Sequence, residues 1–545
     1  MPDPALDEVA DEVDEVVDVL VVGAGPTGLA LAAELHAHGV RPRVVDRHQD
    51  RVHESRALAL QPRTLEVLAG RGISDRLVAR GNRAVRLRVH TARRTVEVPL
   101  FDIGLDDTSY PYLLFLSQAE TESVLGEHLR SGGVTLERGV ELVGLTQDDD
   151  GVTCRVRDGS GTDRTVRARY VVGCDGARST VRRLTGIAFR GAAYPQHFVL
   201  ADLEADVLDP GAAHVFLSGD GPLLFFPLGR PTMWRLIAMR PRGAPLPPDG
   251  VTLADLQRVV DARTGGTVGL RDPEWMTDFR LQHRGAERYR AGRVLLAGDA
   301  AHVHSPAGAQ GMNTGIQDAV DLGWKLALVT QGRGVAALLD TYEAERAPVG
   351  RAVLRLTDRA FAAATSSHPL VRLARTHVAP VVLEALTHAH GTRARAFRTV
   401  AELRIRYARS PLSTSGGRSR RAPRPGDRLP DALVLVAGGT STLHRRLHHP
   451  GFHLLLWDPD ATCPPQTVRA VETRYPGVVT VHRLGPRRSG NPVQDLTGHL
   501  ARRLGLPRTR PAYLLVRPDG HVAHRGDGDL RPLRRYLETW LVAAS

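Results

Sequence analysis

Apolar runs that end in glycine recur along this chain. Val19-Leu-Val-Val is followed by Gly23-Ala-Gly25-Pro-Thr-Gly28 and a helical stretch to Gly39, with Leu29, Ala32, Ala33 and Leu35 along one side. The short run Arg43-Val-Val-Asp46 closes on an acid, so residues 18–46 read as strand, turn, helix and strand. Pro62 opens another helix after Ser55-Arg56 through Gln61. Ser117-Gln-Ala-Glu120 has the capping-box pattern and starts a helix through Leu129. Strand candidates follow at 134–136, 140–143, 152–156 and 165–172. From 188 to 281 the chain reads mostly as strands with Pro/Gly turns, including 223–226 and 233–239. Residues 291–400 return to an apolar strand, a glycine-rich loop and long helices.

A Pro/Gly/Ser/Arg stretch over 409–427 reads as a linker. Beyond it, strands at 432–436, 453–457, 478–481 and 512–516 predict a smaller α/β domain over 428–545, whose last strands meet at the hairpin turn Arg517-Pro-Asp-Gly520. The remainder divides into a discontinuous α/β domain over 18–187 and 282–408 and an inserted β-sheet domain over 188–281. Residues 1–17, rich in Asp and Glu, are expected to be a disordered acidic leader.

Composition narrows the function classes. With 545 residues the chain can hold several domains. No apolar run approaches the roughly 20 residues of a membrane span, and the acidic start does not fit a signal peptide, so a cytoplasmic protein without membrane partners is expected. Cys154, Cys174 and Cys463 are scattered without metal-ligand spacing, which fits a reducing compartment and no metal. The net charge of +12 is carried by arginine, since Lys325 is the only lysine. Those arginines are dispersed and not interleaved with aromatics, which argues against a nucleic-acid partner.

Three motifs carry chemistry. In the first, Gly23, Gly25 and Gly28, with Pro26 and Thr27 between them, allow a tight turn and close approach to a pyrophosphate at a helix N-terminus. Asp46 can accept from ribose hydroxyls, which favours an unphosphorylated ribose and a Rossmann-like dinucleotide domain. In the second, Gly173-Cys-Asp175-Gly176-Ala-Arg178 is either a turn with a helix cap or a second ligand contact. The third, Gly298-Asp299-Ala-Ala-His302 with Pro306, Gly308, Gly311, Met312 and Asn313, offers a carboxylate for a polyol chain and a helix N-terminus for a flat ring. NAD has no need of this second clamp; FAD, with its ribityl chain and isoalloxazine, does.

In this order the motifs resemble those of the single-component FAD-dependent aromatic hydroxylases of the para-hydroxybenzoate hydroxylase fold. The likeness is to the larger members that oxygenate aromatic polyketides, alongside phenol hydroxylases and rifampicin monooxygenases, which carry a C-terminal thioredoxin-like domain; Tyr513 through Gly520 matches that tail. The resemblance implies adenosine contacts from Asp46, Arg47 and Leu142, and pyrophosphate or nicotinamide contacts from Arg56 and Asp175. Gln118 and Asp299 would serve the phosphate and ribityl region, and Pro306, Gly308, Gly311, Met312 and Asn313 the flavin ring. NADPH or NADH would dock transiently, because only one dinucleotide turn exists. O2 would be activated as a C4a-hydroperoxide that hydroxylates a phenolic polycycle.

One departure is Ala309, where the family has a second glycine; an added methyl restricts positive φ and is expected to alter substrate fit. Phe225, Phe226, Trp234 and Pro306 are candidate contacts to a small aromatic substrate, with sheet core the competing role for the first three. No side chain is assigned as a catalytic base, and His302 and His304 read as loop-structural. The C-terminal domain lacks Cys-x-x-Cys, so thiol–disulfide activity is not expected, and the chain would be a monomer or homodimer. Two other readings stand beside hydroxylation. One is Baeyer–Villiger oxygenation of a ketone on the same scaffold; the other is a non-catalytic flavin- or drug-binding protein.

Overall fold

Four parallel strands from distant parts of the chain form the centre of the first sheet. Glu15–Val22 pairs with Arg43–Asp46 on one side and Asp163–Gly173 on the other, and Asp163–Gly173 pairs in turn with Val294–Leu296. Their inner halves are continuous Val/Leu runs, buried as parallel strands covered on both faces require. Val22 lies opposite Gly173, and Gly173 opposite Leu296, so three strands end in one line. All three glycine motifs therefore leave the sheet at the same carboxyl edge, where open α/β sheets bind ligands. Helices Pro26–Ala37, Gln118–Ser131 and Gly311–Thr330 pack beside this sheet. The computed structural model describes residues 15–50, 57–83, 85–91, 94–99, 104–219, 221–228, 234–241, 250–304, 310–366, 368–379, 381–382, 390–416 and 422–544.

A second sheet carries the long strands Phe189–Ala205 and Leu270–Ala286 together with Ala212–Ser218, Gly221–Pro227 and Trp234–Met239. It also takes Arg86–His90, Thr95–Pro99 and His302–Val303 from outside the 188–281 segment. One face is covered by the helix Leu253–Thr264, which the strand-rich reading passed over. Its signal was present as a capping box, in which Thr252 and Asp255 bond reciprocally.

The third sheet joins Phe452–Trp457, Val479–Pro486, Ala512–Val516 and Val522–Asp527 with shorter strands. The last two of these form a hairpin across Arg517-Pro-Asp-Gly520, closed by Gly520 N donating to the Arg517 carbonyl at 2.9 Å. Where described, the stretch read as a linker lies against this sheet: Thr414–Ser415 pairs with Val522–Asp527, and Leu412 is fully buried. Phe452, Leu454, Leu456, Tyr513 and Leu515 share one core with the first sheet, so this domain is fused to its neighbour. Among the described residues, no helix is long and apolar enough to cross a membrane.

Candidate cofactor and substrate site

The first glycine turn is shaped by close approach. A Cβ on Gly23, whose φ is +106°, would sit 2.5 Å from the Cys174 carbonyl oxygen, and one on Gly28 would sit 1.9 Å from that of Gly23. Gly25 differs: a Cβ there would meet nothing within 4 Å. It is the N-cap of Pro26–Ala37 and brings no side chain to the exposed amides. That helix start is open, as an anion site requires. Asp46 lies beside it and accepts from the backbone N–H of Ala24 at 2.6 Å and of His48 at 2.8 Å. Gly23, Asp46, Arg47, Leu142 and Asp175 line a cavity of about 170 Å³ at this end.

In the second motif, the Asp175 carboxylate is taken up by its own helix. It accepts from Ser179 Oγ at 2.5 Å and from the backbone N–H of Thr180 and Val181 at 2.6 and 3.1 Å. Asp175 therefore borders the trough while fixing the loop that carries Gly176. The link between second and third motifs is Arg182, a residue without a role in the sequence reading. Its guanidinium donates to the carbonyls of Ala300 and Ala177, both at 2.8 Å, and lies 3.8 Å over the Phe189 ring.

The third motif is anchored from behind. Gly298 turns with φ +62°, and a Cβ there would fall 2.4 Å from Thr27 Oγ1, as would one on Gly315. The two nucleotide-facing helices thus meet at a contact that only glycine allows. Asp318, fully buried, accepts from Gly298 N at 3.1 Å, His302 Nε2 at 2.6 Å and Arg346 Nε at 2.6 Å. His302 is thereby tied to the Gly298 turn through Asp318. The Asn313 amide clasps residues 59–61, accepting from Gln61 N and donating to the Ala59 carbonyl, both at 2.8 Å.

A second cavity, of about 330 Å³, lies between the first two sheets. Its cofactor-side wall holds Pro26, Thr27, Gln118, Asp299, Gly311 and Met312, with His304 also at its lining. Gln118 Nε2 donates to Glu122 at 2.8 Å. The facing wall presents Leu200, Ile237, Phe279 and Leu281, with Arg280 and Gln282 of the same strand also at the lining. Gly25, Cys174 and Gly176 line both cavities, which makes them two halves of one trough. Burial drives the Cys174 thiol well above its ordinary pKa, so it stays a thiol there.

The aromatic substrate candidates do not line this trough. Phe225 and Trp234 pack on the opposite face of the sheet with Leu256 and Val260 of the covering helix. Alternation along the strand puts Phe226 on the trough's face, but it stacks on Phe115 at 6.3 Å. Sequence pattern marked the aromatic run without saying which face looked inward. The actual wall comes from strands whose apolar residues carry no motif. Arg56, Pro306, Gly308 and Ala309 lie outside the described residues.

The trough fits FAD: an open helix start for the pyrophosphate, an acid-tipped strand for ribose, and a second helix start against apolar side chains for the ring. A domain of this build is an FAD-binding domain, and residues 16–357 match the family model described as FAD binding domain. Residues 422–544 match the model for the C-terminal domain of aromatic-ring hydroxylases. The chain is 37% identical over 521 residues to a 6-methylpretetramide 4-monooxygenase from Streptomyces rimosus, covering 93% of this chain and 90% of that one. It is also similar to two solved structures. One is an anhydrotetracycline hydroxylase from Streptomyces rimosus, with TM-score 0.75, 32% identity, and 96% and 99% of the two chains covered. The other is an aklavinone-11 hydroxylase in complex with FAD and aklavinone, with TM-score 0.79, 28% identity, and 97% and 99% covered. The chain belongs to the FAD-dependent aromatic-ring hydroxylases and is a monooxygenase that binds FAD and uses NAD(P)H and O2.

Proposed function

We propose that this monooxygenase hydroxylates a phenolic, polycyclic substrate of polyketide type. The observation that carries the reading is the set of apolar side chains Leu200, Ile237, Phe279 and Leu281 facing Met312 across the cavity. Flat aromatic rings bury well against such a surface, and few polar groups are needed to orient them. The relatives that share the whole architecture are named for tetracycline-type and aklavinone chemistry, which supports the same substrate class.

FAD supplies the redox chemistry, drawing electrons from NAD(P)H and delivering one atom of O2. The protein's part is binding, exclusion of water and charge placement. Gly25 and the amides after it would hold the pyrophosphate, Asp46 the ribose, and Asp299 the polyol chain. The start of Gly311–Thr330 has no side-chain cap and would offer its positive end to negative charge on a ring bound in this cavity. Leu200, Ile237, Phe279 and Leu281 would help keep water from the reacting carbon.

The test is to add polycyclic phenols to the FAD-loaded enzyme, follow NADPH oxidation, and solve the products by NMR. Ring hydroxylation with stimulated oxidation supports the reading. A ring-expanded lactone would replace it with Baeyer–Villiger oxygenation.

A further inference from the structure

Among the described residues, none from the C-terminal domain lines the trough, yet this domain grips the helix whose first turn forms one wall of it. Arg517 opens the hairpin turn, and the turn is rigid: Arg517 N donates to the His521 carbonyl at 2.8 Å, and Gly520 adopts φ +79°. From there the guanidinium reaches Asp321 on Gly311–Thr330 at 2.8 Å and Glu345 on Asp340–Thr365 at 2.5 and 2.9 Å. It also bonds Asp519 of its own turn. Lys325, the chain's only lysine, completes the cluster with bonds of 2.7 Å to Asp321 and 2.6 Å to Glu345. Every side chain in this cluster is buried, with 4% exposure at most.

A second path runs nearer the cofactor. Arg517 lies 5.1 Å over the Tyr407 ring, and the Tyr407 hydroxyl accepts from Arg346 at 2.9 Å. Arg346 in turn holds the Thr314 carbonyl at 3.1 Å and Asp318 at 2.6 Å. Asp318 holds the Gly298 turn, so contacts run unbroken from the C-terminal hairpin to the third glycine motif.

We infer that the C-terminal domain is a positioning element of the flavin site and that Arg517 is the residue through which it acts. Three carboxylates, Asp321, Glu345 and Asp519, converge on two cations, Arg517 and Lys325. Without Arg517, Asp321 and Glu345 lose the guanidinium that ties the two long helices to the C-terminal hairpin. The flavin-side helix then loses its register against Thr27 and the Gly298 turn. Lysine restores the charge but only part of the forked guanidinium's bonding, which reaches carboxylates from three segments at once. The pair Arg503–Asp106 also joins the C-terminal domain to its neighbour but touches neither helix, and so provides a control.

The experiment titrates FAD into the apo-proteins of wild type, Arg517→Met, Arg517→Lys, Tyr407→Phe and Arg503→Ala, with melting curves and the bound-flavin absorption spectrum recorded for each. The expected result is FAD binding about tenfold weaker in Arg517→Met and Tyr407→Phe, with a changed flavin band and partial recovery in Arg517→Lys. Arg503→Ala is expected to match wild type in both. The inference is overturned if Arg517→Met melts lower but binds FAD with wild-type affinity and spectrum. Should Arg517→Met fail to fold, Tyr407→Phe, which removes one hydroxyl, decides by the same criterion.

Discussion

His302 and Asp318 are bonded at 2.6 Å beneath the Gly298 turn, and both are closed to solvent. Asp318 is the one carboxylate shared by that turn, by His302 and by Arg346. Asp318→Asn would leave the Arg346 guanidinium buried without its charge partner, at a cost of about 3–5 kcal/mol. The expected outcome is a lower melting temperature together with loss of bound FAD from the purified protein, measured by absorbance. Wild-type flavin content would contradict the role given to Asp318.

Gly28 meets the Gly23 carbonyl so closely that a single methyl has no room. Gly28→Ala is expected to displace the first turn and abolish FAD retention. Gly25→Ala adds its methyl where no protein atom stands within 4 Å, in the space read as belonging to the pyrophosphate. It is expected to leave the apo-protein's melting temperature near wild type while weakening FAD binding. Flavin fluorescence titration and apo-protein melting separate these two outcomes.

Phe225 and Phe279 lie on opposite faces of the same sheet, the first in the core and the second at the trough. Phe225→Ala is expected to cost about 3–5 kcal/mol of stability with KM for the aromatic substrate unchanged. Phe279→Ala is expected to raise that KM by roughly tenfold or more while FAD affinity stays the same. Steady-state kinetics beside denaturant melts check both, and a KM effect from Phe225→Ala alone would reverse the assignment.

Acid is expected to loosen the C-terminal domain in two steps. Burial outweighs the pull of Asp519 and lowers His521 from 6.5 to about 4. Its neutral ring therefore contributes stability that is complete above pH 6.5 and is lost as pH falls toward 4. Burial pushes Glu66 up, but Arg428 at 2.5 Å, aided by His444 and Arg63, overrides it and holds the carboxyl at about 2 instead of 4.5. That contribution is present above pH 4.5 and is lost between there and about 2, up to roughly 3 kcal/mol. Urea unfolding at a series of pH values should show both steps, and Glu66→Gln should remove only the lower one.

The glycine turns were legible because backbone contact leaves a mark in sequence: Gly23, Gly28 and Gly298 stand where no Cβ fits. Strand order was not, since nothing local says that Gly173 lies between Val22 and Leu296. Gly311–Thr330 was readable as a helix, but not its complete burial from Asn313 onward, because its interior faces are polar and satisfied by partners far away in sequence. Arg182, Arg346 and Arg517 were hidden for a related reason. In a chain whose positive charge is almost all arginine, composition does not separate a buried, fully bonded guanidinium from a solvated one. Phe225 and Phe226 show the same limit on a strand, where neighbours in sequence serve opposite faces.

We propose that the enzyme oxygenates an aromatic ring held against Leu200, Ile237, Phe279 and Leu281 in the FAD trough. The most direct measurement gives the FAD-loaded enzyme NADPH, isotope-labelled dioxygen and a polycyclic phenol, and locates the label in the product by NMR and mass spectrometry. Faster NADPH oxidation with the phenol present, and one labelled oxygen on an aromatic carbon as a new hydroxyl, are expected. NADPH oxidation unmoved by every polycyclic phenol tried, or label in a lactone ring, would contradict the proposal.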